Sequence, residues 1–283
     1  MSIVRESVFS GSWYPGSAGE CEVQIKEFLT EGPGVEAGAG LVGGIVPHAG
    51  WFFSGSIACN VIRVLSQAVQ PDVVVVFGMH MPPGATPCIY TAGQWETPFG
   101  NLPVAAEMAG ELAEKFNFSM NRDADFLRDN TIELQLPFVK YFFDSAEFIP
   151  IGVPPAPFAL QVGKTVVEIA DKLGLNLAVI GSTDLTHYGP NYGFMDQGTG
   201  PEALDWVREE NDKQVIAAMA AMQPEEVIRQ GLANHNACCS GAAAAAISAG
   251  VQAGAQKGEC LTYATSADKS PGSSFVGYVG MVF

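Results

Sequence analysis

Histidine is scarce in this 283-residue chain, with four copies, and so are the basic residues. The 14 lysines and arginines stand against 30 aspartates and glutamates, a formal net charge of −16. Such a surface repels nucleic acid and anionic lipid, and no basic stripe offsets it, so neither nucleic acid nor a membrane is expected as a partner. No uninterrupted apolar run reaches the length of about 18 residues that would suggest a membrane span. The opening residues, MSIVRESVFSGSWYPGS, lack a basic segment followed by an apolar one, so no secretory signal is expected. The six cysteines (Cys21, Cys59, Cys88, Cys238, Cys239 and Cys260) never take the C-x-x-C spacing of a zinc ribbon. Scattered through a mid-sized chain, most are expected to be reduced thiols in a cytoplasm. There is no G-x-x-x-x-G-K-[ST] phosphate loop and no G-x-S-x-G nucleophile elbow. Charged linkers, low-complexity spacers and fixed-period repeats are missing too.

What is there reads as one α/β domain over residues 1–283. At 48% hydrophobic and 16% charged, the chain buries a substantial core. Apolar runs predict strands at 41–47, 72–78, 147–153, 176–181, 260–265 and 274–283. Helical periodicity predicts helices at 54–69, 104–116, 131–143, 157–173, 201–221 and 224–231. Ser54 or Ser56 is the expected cap of the first. Pro137 must kink or split the third. The run GAAAAAISAGVQAGA at 241–255 predicts a small-residue helix packed closely on the sheet. The alternation implies a mostly parallel central sheet flanked by helices, with some antiparallel pairing at the end.

Three of the four histidines sit where an apolar run ends: His48 in GGIVPHAGW, His80 in VVVVFGMHM and His187 in LAVIGSTDLTHYG. Ligands of open α/β sheets bind beyond the carboxyl ends of the strands. Three imidazoles delivered there point to a metal or acid–base site, the plainer alternative being turn histidines bonded to backbone carbonyls. Trp51, Phe52 and Phe53 are placed to wall a pocket beside His48. Met79 and Met81 are potential thioether ligands for copper, and more in keeping with core filling. Asp184, three residues before His187, either fixes that ring's tautomer or serves as an N-cap or Asx-turn. Cys238 and Cys239 precede the alanine-rich helix, whose N-terminus favours a thiolate. Cys239 reads as a packed small residue and His235 as a loop histidine, both outside any ligand set. Glu133 follows candidate caps Asn130 and Thr131; it suits a first helical turn and is also a candidate pocket carboxylate.

Taken in order, GSWYP, PHAGWFFSG, the strand ending at His80, DNTIELQLPF, STDLTHYG and ACCSGAAAAA resemble the Memo family. In bacteria and archaea that family includes the AmmeMemoRadiSam system protein B group. The resemblance spans essentially the whole chain. It implies a fold like that of the class III extradiol dioxygenases, which hold non-haem iron with two histidines and a carboxylate. Carried across, His48 and His80 match the histidine ligands and His187 the acid–base histidine. Cys238 matches the cysteine that Memo proteins carry in place of the carboxylate. Asn130 stands where relatives commonly have histidine, which removes a potential proton carrier, and Cys239 stands where they have glycine, which creates a vicinal thiol pair open to oxidation or to a soft metal.

The resemblance therefore implies a metalloprotein with one divalent or redox-active ion (iron, copper or zinc) on His48, His80 and Cys238. His187 and Asp184 are the expected proton-handling residues, in metal-dependent redox chemistry on a small molecule. A thiolate ligand shifts preference from ferrous iron toward copper or zinc. The alternative is a non-enzymatic binder of a peptide or a partner, or of copper, that reuses the pocket. Grouping with a radical-SAM protein implies a third role, as a subunit of a modification pathway.

Overall fold

The computed structural model describes the chain except for residues 1–2, 33, 35–37, 39 and 121–127. It opens with β1 (Val4–Arg5), α1 (Ala18–Glu31), β2 (Gly43–Val46), α2 (Trp51–Ala68) and β3 (Val73–Gly78). Four short strands and one helix follow: β4 (Cys88–Ile89), β5 (Gln94–Trp95), β6 (Leu102–Pro103), α3 (Ala106–Lys115) and β7 (Ser119–Met120). Next come α4 (Asn130–Glu133), α5 (Leu136–Phe142), β8 (Glu147–Gly152), α6 (Pro157–Leu173), β9 (Leu177–Ser182) and β10 (His187–Tyr188). The last part holds α7 (Pro201–Trp206), a π-helical turn (Val207–Asn211), α8 (Asp212–Ala220), α9 (Pro224–Asn234) and α10 (Ser240–Gln252). Strands β11 (Glu259–Thr265) and β12 (Phe275–Val282) close it.

The main sheet runs β10-β12-β2-β9-β3-β8-β4-β7, with β11 paired to β12; a small second sheet runs β1-β5-β6. Its centre is parallel: β2 beside β9, β9 beside β3, β3 beside β8. Strand β3, VVVVFG, is buried at every position, as an apolar run with no polar alternation must be when helices cover both faces. The antiparallel pairing expected at the carboxyl end is present, with β12 antiparallel to β2, β10 and β11. A further antiparallel pair, β4 with β8, lies toward the other edge. This is the mostly parallel, helix-flanked α/β sheet that the alternation of runs implies.

Departures from the sequence reading are local and have causes. Helix α2 starts at Trp51, with Gly50 as its cap. Ser54 is already inside the helix, its hydroxyl donating to the Ala49 carbonyl. Indole Nε1 of Trp51 donates to Leu134 O and its ring stacks on Phe138 at 4.1 Å, so packing draws the helix start forward. The predicted helix at 131–143 splits into α4 and α5, with Pro137 in the first turn of α5. Asp129, rather than Asn130 or Thr131, caps α4 by accepting from Ile132 N–H. Helix α1 is an element beyond those expected, capped by Ser17, which accepts from Glu20 N–H. The hexamer Gly38-Ala39-Gly40-Leu41-Val42-Gly43 has G-x-G-x-x-G spacing. Its last residue, Gly43, opens β2, so the spacing precedes a strand and lacks the context of a dinucleotide cradle.

Parallel register fixes where the functional loops emerge. Val46 pairs with Ser182, and Phe77 with Gly181. The chain therefore leaves β2, β9 and β3 side by side at one sheet edge, carrying His48, Asp184 and His80. Helix α10 brings Cys238 and Cys239 to the same edge. Its Ala242–Ala246 run is fully buried, and small residues allow the helix to lie close to α6. A Cβ on Gly163 of α6 would stand 2.1 Å from the Ala245 carbonyl oxygen.

Candidate metal centre

His48 is buried and held by hydrogen bonds from two directions. Its backbone N–H donates to Asp184 Oδ1 at 2.7 Å. Its carbonyl accepts from Asn130 Nδ2 at 2.9 Å. Ring atom Nδ1 lies 3.0 Å from Ser182 Oγ. Ser182 has one hydroxyl proton, which goes to the Thr131 carbonyl at 2.7 Å. Ser182 must therefore accept at His48, so Nδ1 carries a proton whatever the charge of the ring, and Nε2 is the nitrogen that gains or loses one. Nε2 faces Cys238 Sγ at 3.3 Å. Burial pulls the His48 pKa down, but Asp184 and Cys238 outweigh it and raise it to about 9.

His80 follows Met79, whose backbone sits in the left-handed region at φ 68°. For a non-glycine residue that conformation is costly, and here it is held by the Met79 N–H donating to Thr131 Oγ1 at 2.6 Å. The turn sets the His80 ring edge-on to His48, centroids 5.0 Å apart. Nδ1 of His80 lies 3.3 Å from Cys239 Sγ. The Met79 and Met81 thioethers both pack over Gly152, so they fill space beside the cluster.

The two cysteines are pinned through the loop after β9. Cys238 N–H donates to Asp184 O at 3.1 Å, and Cys239 N–H to Thr183 Oγ1 at 3.0 Å. Their sulfurs are 3.8 Å apart. Burial pushes the Cys238 thiol up, but the contact with Cys239 and the two imidazoles reverse this and hold it well below the ordinary thiol range. Cys239 is pushed well above that range, by Cys238 first and burial second. One ligand atom from each of His48, His80, Cys238 and Cys239 lies within 4.8 Å of the others. The sequence reading placed Cys239 outside such a cluster; the structure places it within.

Asp184 also differs from expectation, in its partner. It bonds His48 N–H, and Oδ2 is 3.9 Å from His48 Nε2. Burial raises its pKa, opposed by His48. His187 takes its orientation elsewhere: Nδ1 meets the Leu185 carbonyl at 3.2 Å, and Tyr192 packs edge-on at 5.0 Å. A carbonyl only accepts, so Nδ1 carries the proton and Nε2 is the basic nitrogen.

Two cavities, of about 920 and 640 Å³, meet at His80, His187 and Tyr192. The larger is also lined by Cys238 and His235, the smaller by His48, Asp184 and the aromatic wall of Trp13, Phe52 and Phe53. Among the residues lining these two cavities none is lysine or arginine. His235 ends α9 in a left-handed conformation, apart from the four clustered donors. Glu133 is not a pocket carboxylate. It accepts from the Val8 and Phe9 N–H groups and the Tyr14 hydroxyl, and faces Arg5 at 3.7 Å. Its work is to tie the N-terminal segment to α4. Ser182, Thr183 and Thr131 were missed from sequence; only the Ser182-Thr183 pair beside Asp184 hinted at them.

Fold and site together define a class: an α/β protein whose central parallel strands deliver histidines to a cysteine pair at one sheet edge. The chain belongs to the Memo family, whose profile, described as Memo-like protein, matches residues 5–282. A MEMO1 family protein of Methanopyrus kandleri is 33% identical over 294 residues, covering 99% of this chain and 98% of its own. Another from Nitrosopumilus maritimus is 31% identical over 291 residues, covering 99% and 100%. One from Pyrococcus furiosus is 29% identical over 289 residues, covering 99% of each. Among solved structures, an uncharacterized protein from Escherichia coli K12 shares the fold, with a TM-score of 0.57 at 12% identity. The match covers 85% of this chain and 99% of that one.

Proposed function

We propose that this chain is a metal-binding protein whose ion is held by His48, His80 and Cys238, and that it performs metal-dependent redox chemistry on a small molecule. The observation that carries the reading is the convergence of imidazole and thiol donors within 4.8 Å, beside a two-lobed cavity. The donors fit an ion on chemical grounds. Ser182 keeps a proton on His48 Nδ1, so Nε2 is the nitrogen that would exchange its proton for an ion, and a thiol held below its ordinary range is the deprotonated ligand a metal needs. A bound copper- or zinc-class ion would supply Lewis-acid polarisation, and copper or iron would add electron transfer.

The remaining roles belong to the chain's own residues. His187 presents a basic Nε2 on a ring that lines both cavities, and it takes or returns the substrate proton. Trp13, Phe52 and Phe53 give one lobe an apolar wall. Asp184 acts through His48 as a positioning residue. All six cysteines are free thiols, which suits a reducing cytoplasm. Among the described residues no helix is long and apolar enough to cross a membrane.

The test is metal content measured on purified variants. His48→Ala, His80→Ala and Cys238→Ser should each lose the ion, and His187→Ala should retain it. If His187→Ala empties the site as fully as His48→Ala does, His187 is a ligand and its proton-transfer assignment fails.

A further inference from the structure

We infer that Cys239 is a second sulfur donor to the ion, so that this chain's centre is a two-histidine, two-cysteine set that favours a thiophilic metal. The inference rests on the ligand role proposed above for His48, His80 and Cys238.

Three observations support it. The first is spacing. Two thiolates bound to one tetrahedral ion at about 2.3 Å stand about 3.8 Å apart, and a thiolate and an imidazole nitrogen about 3.5 Å apart. The Cys238 and Cys239 sulfurs are 3.8 Å apart. The sulfur–nitrogen separations are 3.3 Å for Cys238 with His48 and 3.3 Å for Cys239 with His80. Each sulfur thus meets its own histidine and the other sulfur at the edge lengths of one coordination polyhedron.

The second observation is direction. Cys239 is buried and belongs to the set lining neither of the two cavities, whereas Cys238 and His80 line the larger. Cys239 approaches from the core side, so a substrate in the cavity would reach the ion only by adding a fifth ligand to the four from the protein. The third is fixation. The Cys239 backbone is held by Thr183 Oγ1 and by its place as the cap of α10, so its sulfur is delivered by backbone already fixed. A residue serving only to fill space has no need to aim a sulfur at an imidazole. The chemical consequence is selectivity: a second thiolate moves preference further from ferrous iron and toward zinc or copper(I).

The experiment counts sulfurs. Zinc-loaded wild-type protein is examined by X-ray absorption, and cobalt(II)-loaded protein by its sulfur-to-metal charge-transfer band. Wild type should show two sulfur ligands. Cys239→Gly and Cys239→Ser should each lower the band to about half, since the band scales with the number of thiolates. One sulfur in wild type, with full metal occupancy and an unchanged band in both variants, would overturn the inference and leave the three-ligand centre standing. Failure of wild type to bind either ion stoichiometrically would overturn the three-ligand reading and this inference with it.

Discussion

A single hydroxyl proton decides which nitrogen His48 offers. Ser182 spends that proton on the Thr131 carbonyl, accepts from Nδ1, and so turns Nε2 toward Cys238 as the nitrogen available to a metal. Ser182→Ala releases the ring to either tautomer, and metal affinity should fall about 10- to 100-fold, the usual effect of removing a partner that orients a ligand. Asp184→Asn should do the same for a different reason. The amide oxygen still accepts from the His48 N–H, but the negative charge beside the ring is gone. Zinc affinity measured by chelator competition checks both, and equal affinity in wild type and the two variants would show that ring orientation is set by other contacts.

At the scale of elements, two contacts matter beyond the site. Gly163 lets α6 lie against α10, the helix that carries the cysteine pair. Gly163→Ala drives a methyl into the Ala245 carbonyl and should destabilise the fold by about 1–3 kcal/mol, read as a lowered urea midpoint. The other contact is Asp212 at the start of α8, just after the π-helical turn. It accepts from the Thr186 N–H and from the Tyr263 hydroxyl, tying α8 to β11 and to the residue just before His187. Burial nevertheless pushes its carboxyl up to about 6. Its folded pKa is above the unfolded value of about 3.9, so its contribution is full below about pH 4 and is lost as pH rises through about 6. Asp212→Asn should flatten that part of a stability-against-pH curve. A wild-type curve that does not decline over this window would contradict the assignment.

Elements also mark how far the sequence could be read. The run at β3 was legible because parallel strands covered on both faces tolerate nothing polar. The small-residue helix α10 was legible because alanine and glycine so concentrated permit close packing. The start of α2 was not, since it depends on Trp51 stacking on Phe138, residues far apart in sequence. Helix α1 could have been found from the serine and glutamate three residues apart that open it.

For the whole molecule, one sheet edge gathers what the chain holds in few copies. The exits of β2, β3 and β9, and the start of α10, meet there because β9 lies between β2 and β3. His48 and His80 were legible as a pair because each follows a strand that ends at that edge, and Cys238 joined them through the family resemblance. Cys239 and the true partner of Asp184 were not, because both depend on side-chain directions across the sheet. With sulfur where a carboxylate would suit ferrous chemistry, iron-loaded protein should cleave simple catechols slowly or not at all in air. Rapid formation of a yellow ring-cleavage product would show that sulfur ligation supports that reaction. The most direct test of the central claim is elemental analysis of protein purified without a metal-affinity tag and reconstituted anaerobically with zinc or copper(I), beside Cys238→Ser. Roughly one ion per wild-type chain and a large loss in the variant is the predicted result, a lost thiolate ligand being a lost anchor. No stoichiometric ion in wild type, or equal content in both proteins, would contradict it.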